Sequence, residues 1–422
     1  MNIRILIPAS LIAAAFSTGA FATDGYFSTG YGVKSQGMGG VGIALPQDAL
    51  AAATNPAGMA LIGDRTDIGL TWFRPEREAT LSNTAGGFSN GTFQGNVRDN
   101  FYIPEAGFNK MLTPDLALGV SVYGNGGMDS AYKGGIPLLN NSNGKTSGLD
   151  YIQLFVAPTV AWKVTPNQTI GASVILGYQR FKATGLEGFK GISVAPGNLT
   201  GVGADDAYGI GLHLGWIGNI NDRISLGATL QSKTYFQNFD KYRGLFAGGG
   251  NMDAPATLGA GIAVKATPQL TIAADVQRIF YSDVNSIGNS ISLWNGLFSP
   301  SGNLGSSSGP SFGWRDVNVY KLGASYNLNA AWTLRVGYNH TDQPVRGSEA
   351  LFNILAPAVV QDHLTLGGTY VLPNKSELSF NYVHAFGNTV TGQNAIPAQF
   401  GGGNVNLKMY QDSVGIAYGW HL

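Results

Sequence analysis

The chain has no cysteine, so neither disulfide bonds nor thiol chemistry is available to it. Charge is scarce: Asp, Glu, Lys and Arg make up 12% of 422 residues, about half the share usual in soluble domains. The charges cancel, 25 basic against 25 acidic, which removes the electrostatic case for binding nucleic acid. The five histidines, His213, His340, His363, His384 and His421, show no metal-ligand spacing. After the opening residues, no apolar run approaches the roughly 20 residues of a membrane-spanning helix. What is abundant is glycine, 61 residues, about twice its usual share, together with aromatic side chains. That balance suits a protein whose outer face meets lipid.

The opening "MNIRILIPASLIAAAFSTGAFA" has Arg4 in a short positive region, an apolar stretch over 5–16, and Ala20-Phe21-Ala22 as a small-x-small cleavage site. Residues 1–22 therefore read as a cleaved export signal, with the mature chain starting at Thr23. The apolar stretch is too short to span a bilayer comfortably.

Period-two alternation is the main signal in the rest of the chain. In "WTLRVGYNHT" (332–341), Trp332, Leu334, Val336 and Tyr338 share one face, and Thr333, Arg335, Gly337 and Asn339 the other. "YGIGLHLGW" (208–216) sets Tyr208, Ile210, Leu212, Leu214 and Trp216 against Gly209, Gly211, His213 and Gly215. "HLTLGGTY" (363–370) and "ELSFNY" (377–382) repeat the pattern. Strand-like runs fall near 65–75, 101–112, 116–126, 150–164, 167–182, 206–219, 222–236, 254–267, 269–282, 315–327, 331–342, 362–373, 375–388 and 407–420. They number fourteen, an even count, and most reach the length needed to cross a bilayer.

The connections alternate in length. Short ones carry Pro, Asn or Asp, the residues of tight turns: "LTPD" (112–115), "VTPN" (164–167), "NIND" (219–222), "ATPQ" (266–269), "NLNAA" (327–331) and "LPNK" (372–375). Long Gly/Ser/Asn-rich ones lie between them, at 76–100, 127–149, 183–205, 237–253, 283–314, 343–361 and 389–406. Short turns at one rim and long loops at the other are the pattern of an outer-membrane barrel. Trp162, Trp216, Trp332 and Trp420 sit beside the short turns or the chain end, as an aromatic girdle would. The expected fold is all-β: a transmembrane antiparallel β-barrel of fourteen strands over 65–422.

Residues 23–64 precede the first strand. Their polar, glycine-rich start cannot face lipid, because its backbone groups would lack partners there. The economical place for them is the lumen, as a plug. Within them "QDALAAATNPAGM" (47–59) predicts a short helix over 47–54 that Asn55-Pro56 stops.

Here the sequence resembles the FadL-type outer-membrane transporters of long-chain fatty acids and other hydrophobic compounds. The resemblance rests on "STGYGVKSQGMGGVGIALPQDALAAATNPAGM" (28–59), above all Asn55-Pro56-Ala57. It continues through "DDAYGIGLHLG" (205–215), "RISLGATLQSK" (223–233), "WRDVNVYKLGASY" (314–326) and "TLRVGYNHTDQPV" (333–345), and so covers essentially the mature chain. The resemblance implies a hatch held to the wall by Asn55, Pro56 and Ala57. It also implies capture of substrate at outer loops, transfer to a lumen pocket, and lateral exit beside a kinked strand.

Gly124-Asn125-Gly126-Gly127 is the candidate kink, since glycines weaken a ladder and permit a bulge. The candidate capture surface is apolar loop sequence: Leu186, Phe189, Ile192 and Val194 in the third long loop, Phe239, Leu245 and Phe246 in the fourth. By parity Lys321 and Arg335 point inward on neighbouring strands, where either could meet a carboxylate. Asp275 and Glu377 also point inward, so the cations could equally neutralise a polar interior. No cofactor is expected. Expected partners are a fatty acid or other hydrophobic small molecule, outer-membrane lipid and lipopolysaccharide, and the barrel assembly machinery, with the protein a monomer in the outer membrane of a Gram-negative cell.

Catalytic motifs do not survive their context. "GMGGVG" (37–42) matches G-x-G-x-x-G without a βαβ unit, and "GFSNG" (87–91) and "GPSFG" (309–313) match G-x-S-x-G without a strand-to-helix elbow. The alternative function is a general or small-solute porin, which shares the barrel but needs no N-terminal plug. The ending "YGWHL" leaves Trp420 two positions short of a terminal aromatic, which puts the assembly signal in question rather than the fold.

Overall fold

The computed structural model describes residues 24–294 and 302–422, so the expected export signal lies outside the described residues. Fourteen long strands form one wall. In chain order they are β1 (Arg65–Ser82), β2 (Phe101–Met111), β3 (Leu116–Tyr132), β4 (Ser147–Thr165) and β5 (Gln168–Thr184). Next come β6 (Asp205–Asn219), β7 (Ile224–Gln231), β8 (Thr257–Lys265), β9 (Leu270–Ile279) and β10 (Val317–Asn327). The last four are β11 (Trp332–Thr341), β12 (Asp362–Val371), β13 (Glu377–Gly392) and β14 (Asn404–His421). Each pairs antiparallel with its sequence neighbour, and β14 pairs with β1 from Arg65↔His421 to Ser82↔Asn404. That last pairing closes the sheet into a barrel. Two short strands, Gly91–Gln94 and Tyr235–Phe236, fold back on β1 and β6.

The sense of the alternation identifies the solvent. On β6, Tyr208, Ile210, Leu212 and Leu214 are each at least half exposed, whereas His213 between them is 2% exposed. The apolar face points out and the polar face in, the reverse of a soluble sandwich and the arrangement of a lipid-facing barrel.

Turn chemistry sets the tight rim. The Asn221 side chain accepts from the backbone of Arg223 (2.9 Å) and Ile224 (3.0 Å). Asn329 does the same for Ala331 and Trp332, at 2.9 Å each. These Asx-type bonds offer the chain a local reversal in place of a longer loop.

The wall differs most from the sequence reading in three places, with shifts of up to four residues at other strand ends. The first strand runs to Ser82 rather than 75, because β14 pairs with it along its whole length. The third runs to Tyr132 rather than 126. The run 222–236 is interrupted after Gln231 and resumes only at Tyr235–Phe236.

Residues 24–64 fold inside the barrel. They form two one-turn helices, α1 (Val33–Gln36) and α2 (Ala51–Thr54), and a 3-10 turn over Pro56–Leu61. The helix expected over 47–54 is thus only four residues long. Asp48 Oδ1 accepts from the Leu50 backbone at 3.0 Å, which keeps the entry in a turn. Asn55-Pro56 ends α2 as expected, but it also starts something: Asn55 is extended, its side chain caps the Ala57 N–H, and Pro56 takes the first position of the 3-10 turn.

Candidate functional site

The Asn-Pro-Ala segment fastens the hatch to β6 and β7. Asn55 is buried, and its amide Nδ2 donates to the carbonyl of Ile43 in the hatch (2.7 Å) and to Trp216 on the wall (3.0 Å), with a longer bond to Ala228 (3.4 Å). The wall is shaped to receive it. A Cβ on Gly215 would overlap the Asn55 side chain, and one on Gly171 would overlap the backbone of Pro56 and Ala57. Glycine is required there so that two backbones can touch. Of the other inward glycines of β6, Gly209 meets Phe236 and Gly211 meets Thr234 rather than the hatch.

Polar side chains complete the seat around the rest of the circumference. Glu105 on β2 accepts from the backbone of Gly32 (3.1 Å) and Val33 (3.0 Å) at the start of α1. Asp67 on β1 accepts from Ala49 (2.9 Å), and Asp275 on β9 from Gly42 (2.8 Å) and Ile43 (3.1 Å). Asn109 donates to the carbonyls of Met59 and Gly63 (2.8 Å each), and Asn381 to that of Val33 (3.0 Å). Lys34 of the hatch pairs with Glu377 at 2.6 Å, and Arg65 reaches the same carboxylate at 2.8 Å. Burial, and then the nearby Arg65, pull the Lys34 ammonium below its ordinary value, while Glu377 opposes them.

Lys321 and Arg335 do point inward, and both are engaged by the hatch. Lys321 donates to the Thr29 carbonyl (2.7 Å) and lies 3.8 Å from Asp24. Arg335 donates to the Gln47 side chain (2.9 Å) and to Thr369 (2.7 Å). Strand parity brings these cations to the lumen but carries no sign of their hatch partners. Glu105, Asp67, Asn109 and Asn381 are absent from the sequence reading, although inward parity on their strands marks each of them.

The Gly124–Gly127 stretch is a bulge. Its register with β4 shifts between Gly124 and Gly126, which leaves Asn125 as the extra residue. Beyond it both faces of β3 are buried through Tyr132. Its far half lies inside the mouth of the barrel: Ser130 and Tyr132 donate to the carbonyls of Leu355 and Ile354 at 2.7 Å each. Ser28 donates to the Asn125 carbonyl (3.2 Å) and Gly127 to that of Tyr26 (3.1 Å), so the start of the hatch runs beside the kink.

The β2–β3 ladder stops where the kink begins. Its pairs run only from Met111↔Ala117 to Ala106↔Val122. Phe101–Glu105 pair with β1 on one edge and, among the described residues, with no strand on the other. A cavity of about 390 Å³ lies between the hatch (Ser28, Thr29 and Gln36) and the wall formed by β13, β14 and β1, with Ile103 the one lining residue from the unpaired stretch of β2.

The loop residues correct the expectation of an exposed capture patch. Phe189, Ile192 and Phe239 are fully packed, Phe189 against the rings of Phe352 (5.2 Å) and Phe400 (5.6 Å). Only Val194 is exposed, at 46%. The long loops fold over one another because their apolar side chains gain more from mutual burial than from facing water. Beneath them lies a cavity of about 400 Å³, bounded by Leu149, Phe181, Leu186, Leu245, Phe246 and Phe312. Three of the predicted residues, Leu186, Leu245 and Phe246, therefore do line a shared apolar space.

A closed, lipid-facing barrel with its N-terminal segment bonded inside defines a class: an outer-membrane β-barrel protein. The family is established by sequence. The model of the outer membrane protein transport protein family (OMPP1/FadL/TodX) matches residues 9–420, and the chain belongs to that family. Solved structures agree on the fold. The toluene transporter TodX of Pseudomonas putida superposes with a TM-score of 0.67 at 19% identity, over 93% of this chain and 99% of that one. The toluene transporter TbuX of Ralstonia pickettii gives 0.64 at 21%, over 93% and 99%. A Pseudomonas aeruginosa FadL homologue gives 0.69 at 16%, over 93% and 98%. No curated protein matches the sequence. The protein is thus an outer-membrane transport protein for hydrophobic compounds.

Proposed function

We propose that this protein takes up a long-chain fatty acid or another hydrophobic compound by capture under the extracellular loops, passage beside the hatch, and lateral exit into the membrane. The observation that carries the reading is the β2–β3 ladder, interrupted where the bulge at Asn125 begins. An apolar molecule leaving there passes into lipid without crossing water, and avoidance of water is its driving force. The apolar antechamber supports the first step. The hatch, bonded across the lumen, speaks against an open porin. Asn55, Pro56 and Ala57 hold the hatch against the wall. In this reading residues 1–22 are removed on export and the protein works as a monomer, inserted by the barrel assembly machinery among lipopolysaccharide.

Deletion of Asn125 tests the lateral route. It restores one-to-one register between β3 and β4 and so removes the bulge. Cells carrying the deletion should lose uptake of labelled oleate and toluene, while the purified variant still binds them. Full uptake through a continuous wall would overturn lateral exit and favour passage past the hatch.

A further inference from the structure

A third cavity, of about 470 Å³, lies between the hatch and the wall formed by β6 to β10. Its two sides differ in kind. The hatch contributes Phe27, Tyr31 and Ile43. The wall contributes Gln231, Thr257, Asp275 and Gln277, together with Asn125, His213, Thr229 and Lys321, whose side chains are bonded elsewhere. Asp275 uses Oδ2 to hold the hatch, but its buried Oδ1 has no hydrogen-bond partner. The side chains of Gln231, Thr257 and Gln277 make no hydrogen bond to the described residues either. Gln231, Thr257 and Asp275 are each at most 6% exposed. This is a pocket with one greasy side and one side of spare, buried hydrogen-bonding groups.

Each class of cargo meets that wall differently. A bare hydrocarbon strips water from the four polar groups and returns nothing, a desolvation cost at every one. A carboxylate meets Asp275, and the one cation lining the pocket, Lys321, is already engaged by the Thr29 carbonyl and Asp24. A hydroxyl can donate to Asp275 Oδ1 and accept from a glutamine amide, while its ring rests on the hatch side.

We propose that the cargo is a small apolar ring carrying a hydroxyl group, a phenol or similar alcohol, in preference to a bare hydrocarbon or an acid. The proposal rests on the transport reading above and narrows its substrate class. A site built to hydrogen-bond a hydroxyl discriminates strongly against the analogue lacking it, because its polar groups are then left unpaired.

The test compares three ligands of one ring size, p-cresol, toluene and p-toluate, by equilibrium dialysis against the purified full chain. p-Cresol should bind about tenfold tighter than toluene, the equivalent of one or two net hydrogen bonds, and p-toluate most weakly. Gln231→Leu with Gln277→Leu should collapse the cresol-to-toluene ratio while keeping toluene binding. Neither glutamine bonds the hatch, and Thr257→Val gives the same reading in a milder form if the double variant does not fold. Toluene binding as tightly as cresol, p-toluate binding best, or a ratio unmoved by these substitutions would overturn the hydroxyl preference. Failure of the transport reading looks different: cells would then take up none of the apolar ligands, whatever the ratio.

Discussion

Removing the Asn55 amide should loosen the hatch by an amount that the geometry fixes. Two of its bonds, to Ile43 and Ala57, lie within the hatch and persist whether or not the hatch is seated. Only the bonds to Trp216 (3.0 Å) and Ala228 (3.4 Å) cross to the wall, and the second is long. Asn55→Ala therefore removes essentially one good buried bond from the seated state alone and leaves a wall carbonyl short of a partner. That is worth about 1–3 kcal/mol. An unseated hatch should then be populated about 5-fold to 150-fold more often. Single-channel recording in planar bilayers reads this as opening frequency, and heat-modifiable mobility on gels checks that the barrel is intact. Gly215→Val should act in the same direction by another cause, since its side chain would overlap Asn55. Wild-type conductance in both variants would refute the argument that this contact holds the plug.

Two further outcomes are set by the packing. Gly126→Val should displace the start of the hatch, because a Cβ there overlaps the Tyr26 carbonyl; protease cleavage within residues 24–32 should speed up in the purified barrel, and an unchanged pattern would contradict the contact. Phe246→Ala removes a ring that lies 4.6 Å from Phe181 in the antechamber and should destabilise the loop cap by about 3–5 kcal/mol, seen as faster hydrogen exchange in residues 237–253 and weaker binding of apolar ligand.

The barrel is legible in the sequence because lipid imposes a strict rule. Every spanning strand must show an apolar face, so Tyr208, Ile210, Leu212 and Leu214 announce both their strand and its orientation. Strand ends are less legible where the wall leaves the membrane: β3 beyond 126 is buried on both faces, and β1 beyond 75 keeps its alternation of burial but carries Glu76, Glu78 and Thr80 on the less buried face, so the apolar signal is lost. The inside of the barrel obeys no such rule. Lys321 and Arg335 can be placed in the lumen by parity, but their partners, Thr29 and Gln47, lie almost 300 residues away in sequence. Gly171 and Gly215 read simply as small residues until Asn55-Pro56-Ala57 is seen against them. The loop aromatics read as surface because folding of one long loop over another leaves no periodic trace.

The hatch also bears on the order of events in folding. It is bonded to both sides of the seam that closes the barrel: Ala49 to Asp67 on β1, Val33 and Lys34 to Asn381 and Glu377 on β13. Arg65 on β1 reaches Glu377 on β13, across the closing strand β14. The segment that must be enclosed leads the chain, and the strand that encloses it comes last. Residues 24–64 thus act as a jig. They fix the distance and register between the two ends of the sheet, so that β14 meets one way to shut.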